Sequence, residues 1–193
     1  MARPIRYNRT EVLEKAMLAF WEKGYHATSM ADLVEVTDLR PGSIYAAFRC
    51  KEDFYLNTLD HYVEQGISKL ESVISGASSP LEGIREALLW IAEDSADPDS
   101  KRSCFLVNTV LELARRNEEV GNRSKRHLDA IESLFKKAVE AGQAQGEIPP
   151  EKDAGNLAAL IMCSMCGLRV LGGASPARSK TVAIAKQVLS ALA

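Results

Sequence analysis

Apolar residues return every three or four positions along almost the whole chain, and nowhere do they alternate with polar ones long enough to make a strand. The pattern predicts an all-α protein of about nine helices. A first helix begins near Thr10, read as its N-cap, with Val12, Leu13, Ala16, Met17 and Phe20 on one face, and Gly24 placed to end it. A second spans about Met30–Val36 after the hydroxyls of Thr28 and Ser29, with Ala31, Leu33 and Val34 facing inward. A third opens at Pro41, where a missing amide hydrogen costs nothing, and closes near Phe48 with Ile44, Ala47 and Phe48 inside. Two short helices joined by about four residues fit a helix-turn-helix.

The elements that follow are longer. Helices are expected at Lys51–Ile74, Leu81–Asp94, Ser103–Ala114, Val120–Ala144, Lys152–Leu171 and Pro176–Leu192, with breaks at Asp97-Pro98-Asp99, Arg115–Glu118, Gly146–Pro150 and Gly172–Ser175. The organisation is therefore a three-helix head over residues 1–50 and a larger helical body over 51–193, with helix 51–74 as the connector.

Composition narrows the picture without changing it. Of 193 residues 46% are apolar and 26% charged, and the formal net charge is -2. These values suit a soluble globular protein and exclude one coated in basic surface. Eight bases against six acids over residues 1–51 leave +2 there, while the remainder carries −4. A local cationic face at the N-terminal end is enough for nucleic acid. The opening arginines lead into an amphipathic stretch, unlike a secretory signal. The longest apolar run, near Leu157–Leu171, is broken by Ser164, Gly167 and Arg169, and reads as too short and polar to cross a membrane. Four cysteines without secretory context point to reduced thiols and a cytoplasmic location.

The segment TDLRPGSIYAAFRCKEDF carries the most information. A recognition helix needs small or polar residues at its exposed N-terminal end, so that its backbone can enter a major groove. Arg40, Pro41, Gly42 and Ser43 supply that end, and Tyr45 lies outward relative to Ile44 and Phe48. Together with VLEKAMLAF, Gly24-Tyr25, Thr28-Ser29-Met30 and Lys51-Glu52-Asp53-Phe54, this segment resembles the DNA-binding domain of the TetR/AcrR family, over about residues 10–56 without a gap. The resemblance implies that Tyr45 touches DNA, that Lys51 contacts phosphate, and that Thr28 bonds phosphate by hydroxyl and backbone. Where the family often carries a larger polar or aromatic residue this chain has Ala46, so direct readout leans on Arg40, Ser43 and Tyr45. Arg3, Arg6 and Arg9 suit either an arm in the minor groove or a solvated tail.

For the body, the resemblance implies a homodimer and a small-molecule effector. Helices 152–171 and 176–192 are the expected dimer face, a buried helix within a monomer being the alternative. Trp90, Phe105, Asn108, Leu111, Phe135, Met162 and Met165 are candidates to line a cavity, each of which fits the core equally well. Cys104 follows Lys101 and Arg102 at a helix start; it fits a sensor of electrophiles or oxidants, or a small apolar helix starter. Cys163 and Cys166 form a CxxC inside an apolar helix and read as core packing rather than as a metal site. No Walker loop, HExxH, GxSxG or glycine fingerprint is present, and His26, His61 and His127 share no spacing. The reading is a non-enzymatic regulator without metal or cofactor. It is expected to repress from a palindromic double-stranded operator until an inducer releases it.

Overall fold

The computed structural model describes residues 7–97, 103–175 and 177–192. Among these, every regular element is helical: α1 (Arg9–Lys23), α2 (Met30–Thr37), α3 (Pro41–Ala47), α4 (Lys51–Gly76), α5 (Pro80–Ser95), α6 (Phe105–Thr109), α7 (Glu118–Ala144), α8 (Ala154–Ala174) and α9 (Arg178–Ser190). α6 runs on into a π-helical turn, Val110–Ala114.

Local chemistry explains most of the boundaries. α1 starts one residue early, because the Asn8 side chain rather than Thr10 accepts from the first free amides, those of Thr10 and Glu11. Ser29 caps α2 in a full capping box with Asp32, while Asp38 ends it at φ 56, a left-handed position that aspartate tolerates. Ser79, Asn117 and Asp153 cap α5, α7 and α8 by accepting from amides three residues on. The expected inward Ala31 is exposed instead; Leu33 and the edge of Val34 are enough to seat so short a helix.

α5 is the centre of the body, with Ile84, Ala87, Leu88, Ile91 and Ala92 buried, and α4, α7, α8 and α9 packed around it. α8 passes straight through the glycine pair expected to break it and ends at Ala174. The reason lies in packing. A Cβ at Gly172 would stand 1.8 Å from the Ser95 carbonyl oxygen, so the bare backbone lets α8 press against the end of α5. α8 is 21 residues long and holds an 18-residue window with a mean hydropathy of 1.8, so by length and composition alone it is neither too short nor too polar to cross a membrane, contrary to the expectation above. Here it packs on α5, α7 and α9 as a core helix.

Gly172→Ala forces α5 and α8 apart. It should lower stability by about 1–3 kcal/mol, as overpacking does, seen as an earlier urea midpoint. An unchanged midpoint would mean that the two helices do not meet this closely.

Candidate DNA interface and body cavity

Three residues, Asp38–Arg40, join α2 to α3. Leu39 is buried and anchors the turn, while Arg40 is extended, as a residue before proline must be. Its carbonyl accepts from the amides of Ser43 and Ile44 at 2.8 and 3.2 Å, so α3 begins tightly on the exposed side. Ile44 and Phe48 are fully buried, and Phe48 stacks on Phe54 of α4 with ring centroids 3.8 Å apart. That fastening turns Arg40, Pro41, Gly42, Tyr45 and Ala46 outward together, with Ser43 half-buried beside them. Tyr45 is 56% exposed, a large aromatic surface left to solvent beside the buried Ile44. A Cβ at Gly42 would meet nothing in the chain, so the missing side chain leaves room for something outside it.

Lys51 opens α4 next to this face. Its ammonium lies 4.4 Å from the centroid of the Tyr25 ring and 3.5 Å from the His26 carbonyl oxygen. Burial pulls its pKa below the ordinary lysine value, against the raising influence of Glu112 and Asp32. Arg49 is an exposed cation on the turn between α3 and α4, where Asp53 accepts from both its backbone amide and its guanidinium, and it was not singled out from the sequence. Its signal was the basic turn Arg49-Cys50-Lys51 beside the recognition segment.

Two expectations for the head are corrected. Thr28 is wholly buried, and its hydroxyl donates to the Gly24 carbonyl at 2.7 Å, so the hydroxyl closes the turn after α1 and is not the group offered to a phosphate. Arg9 is the first residue of α1; it bonds Asn57 and lies over the Phe48 ring, and so belongs to no free arm. Arg3 and Arg6 lie outside the described residues.

In the body, α4 to α8 surround a small cavity of about 60 Å³. Of the seven candidates, Trp90, Met162 and Met165 line it, together with Tyr62, Cys104, Leu106, Val107, Cys166 and Arg169. The other four candidates do not. Phe105 and Phe135 are core, Asn108 accepts from the Ser103 hydroxyl away from the cavity, and Leu111 is 77% exposed. The π turn accounts for Leu111: five residues per hydrogen-bonded loop rotate it off the face that 3.6-residue spacing assigns. Tyr62 donates to the Cys104 sulfur at 3.5 Å, and burial holds its phenol protonated. Burial likewise pushes the Cys166 thiol up to about 11. Lys101 and Arg102, invoked beside Cys104, are outside the described residues. Cys163 is not core: it is exposed on α8, in an apolar stripe with Leu160, Gly167 and Val170.

The wall of the cavity is also the seat of the head. Glu112, on the π turn, accepts from the Tyr25 and His26 amides at 3.3 and 3.4 Å. Trp21 of α1 donates to the Ser103 carbonyl at 2.7 Å, and the Tyr55 hydroxyl meets Thr109 at 2.8 Å within the core. Farther along α4, Asp60 accepts from Arg123 and pairs with His127 of α7. Nothing in the spacing of Glu112 along the chain marks a partner 87 positions away.

Residues 12–58 match the family described as bacterial regulatory proteins, tetR family, and residues 80–174 that described as tetracyclin repressor-like, C-terminal domain. The HTH-type transcriptional repressor ComR of Escherichia coli (strain K12) is 30% identical over 188 residues, 97% of this chain and 90% of that protein. The HTH-type transcriptional repressor DhaR of Mycobacterium sp. (strain GP1) is 24% identical over 159 residues, 82% of this chain and 79% of its own. Among solved structures, a cysteine mutant of the TetR family transcriptional regulator CifR, complexed with 26-bp double-strand operator DNA, superposes with a TM-score of 0.88. It is 29% identical and covers 100% of both chains.

Glu112→Ala removes the carboxylate that holds the turn after α1. Amide exchange at Tyr25 and His26 should rise about tenfold, while the centre of α5 keeps its protection. Equal exchange in the two proteins would show that the turn holds itself.

Proposed function

The chain belongs to the TetR family of bacterial transcriptional regulators, and from that premise we propose that it is a homodimeric repressor released from a palindromic operator by a small molecule. The observation that carries the reading is the outward face of α3, Arg40 to Ala46, made rigid from behind by buried Ile44 and Phe48. Tyr45 and Ser43 face base edges in the major groove, with Arg40 at the helix entrance. The open side of Gly42 lets the backbone approach. Lys51 and Arg49 take phosphates on either side of the junction with α4.

We assign DNA reading to residues 1–50 and effector binding with dimerisation to 51–193, noting that Phe54 and Tyr55 of α4 complete the core of the head. The apolar stripe of α8 and the exposed side of α9 form the partner face. A two-fold axis there sets two recognition helices about 34–36 Å apart, one helical turn of DNA. An effector in the cavity displaces α6, and with it α4 and the Glu112 grip on the head. A differential affinity of about 1–3 kcal/mol is enough for useful release. The protein acts by binding rather than by catalysis, in the cytoplasm with its DNA.

Selection from random duplex DNA by the purified dimer tests the reading: a palindromic consensus is expected, whereas recovery of unrelated sequences would sink it. On the selected site, Tyr45→Ala should weaken binding by about 1–3 kcal/mol and leave the dimer intact. Arg49→Ala should weaken all sequences alike and reduce the salt slope by about 1. Loss of sequence preference in Arg49→Ala but not in Tyr45→Ala would reverse the two roles.

A further inference from the structure

The cavity has one charge. Among the described residues that line it, all but one are hydrocarbon, aromatic, sulfur-bearing or phenolic, and no carboxylate faces it; the exception is Arg169 of α8. Tyr62 and Cys166 are kept neutral by burial, so the guanidinium sets the potential inside.

Its surroundings fix how it is presented. One Nη donates to Asp94 on α5, and the guanidinium carbon lies 5.9 Å from the centroid of the Trp90 ring. The Arg169 side chain is 18% exposed and that of Asp94 41%, so the carboxylate sits toward solvent and the cation toward the interior. The bond to Asp94 engages one of the five N–H donors of a guanidinium. The planar fork can still meet a second carboxylate through two parallel bonds. Asp94 and Trp90 then act as a brace that orients the fork before anything enters.

Entry of a wholly apolar molecule would strip water from the Arg169 donors that Asp94 does not engage, a cost that an anionic head group offsets. A cavity of about 60 Å³ is smaller than even a short-chain or single-ring acid, so any ligand must part the lining helices, and long chains and large planar rings are excluded first. Resting on the effector-cavity reading above, we propose that the ligand of this cavity is a small monocarboxylate with an apolar body. Its carboxylate lies on Arg169, and its body among Val63, Ile131 and Met162. Binding there engages the free side of the Arg169 fork while Asp94 keeps its own donor, and the body of the ligand presses on Leu106 and Val107 of α6, the helix whose continuation carries Glu112 to the head.

Calorimetry on the full-length dimer, with benzoate and butyrate against benzamide and butyramide, tests this, with operator release followed by fluorescence anisotropy. The acids should bind at least about tenfold more tightly than their amides. Arg169→Gln should erase that preference, and Arg169→Lys should keep part of it. Gly66→Leu serves as the blocking variant, because a Cβ at this lining position meets nothing within 4 Å and its side chain can occupy the cavity. It should abolish binding and release together. Amides that bind as well as acids, both blocked by Gly66→Leu, would overturn the carboxylate class and leave the effector cavity standing. Acid binding that Gly66→Leu leaves untouched would overturn both. A preference for acids that survives Arg169→Gln would overturn Arg169 as the seat of the carboxylate. Failure of every acid in the panel to bind overturns the carboxylate class.

Discussion

A continuous seam of buried aromatic rings holds this molecule together. It begins where Phe48 stacks on Phe54, passes through Phe20 to Tyr55, and crosses into the body where Tyr55 and Tyr62 meet Phe105. Trp21 closes the far end against Tyr62 and Phe105. Edge-to-face and offset pairs of this kind add to the burial of large apolar surfaces, and they also fix ring orientation. Three of the rings are tied by polar bonds, Tyr55 to Thr109, Trp21 to the Ser103 carbonyl and Tyr62 to the Cys104 sulfur. A short three-helix head buries too little surface to stand firmly alone. By sharing this seam with α4 and α6, it takes its rigidity from the body.

That dependence ties the head to the helices around the cavity. The same α6 that receives Phe105 into the seam offers Leu106 and Val107 to the cavity, and its π continuation offers Glu112 to the turn after α1. A π turn leaves one residue out of the regular helical register. Here it swings Leu111 to solvent and Glu112 toward the Tyr25 and His26 amides, so one irregular turn exposes an apolar side chain and makes a charged bridge. Displacement of α6 therefore reaches the head along two packed routes, the aromatic seam and the carboxylate grip.

α8 meets three demands at once. One side packs on α5, closely enough that Gly172 has no room for a side chain. Met162, Met165, Cys166 and Arg169 face the cavity, and Leu160, Cys163 and Val170 are left outward. A helix apolar on nearly every side is what such triple use requires, and it is why composition alone lets α8 pass for a membrane span.

Much of this was legible in the residues. Helical periodicity identified the elements, because a 3.6-residue stripe has one physical solution, and proline, glycine and capping hydroxyls marked most ends. The outward set on α3 followed from Ile44 and Phe48 facing in, which is local geometry. The tertiary structure decided what depends on distant partners. Thr28 turned its hydroxyl inward because the carbonyl of Gly24 was waiting there, and Leu111 left the cavity because α6 changes register. Arg169 stood in the sequence only as an interruption of an apolar run; its place against Asp94 and Trp90 arises where α8 crosses α5. Periodicity reports which face of a helix is apolar, but a face carries no record of its neighbour, and the neighbour is what makes a residue core, lining or contact.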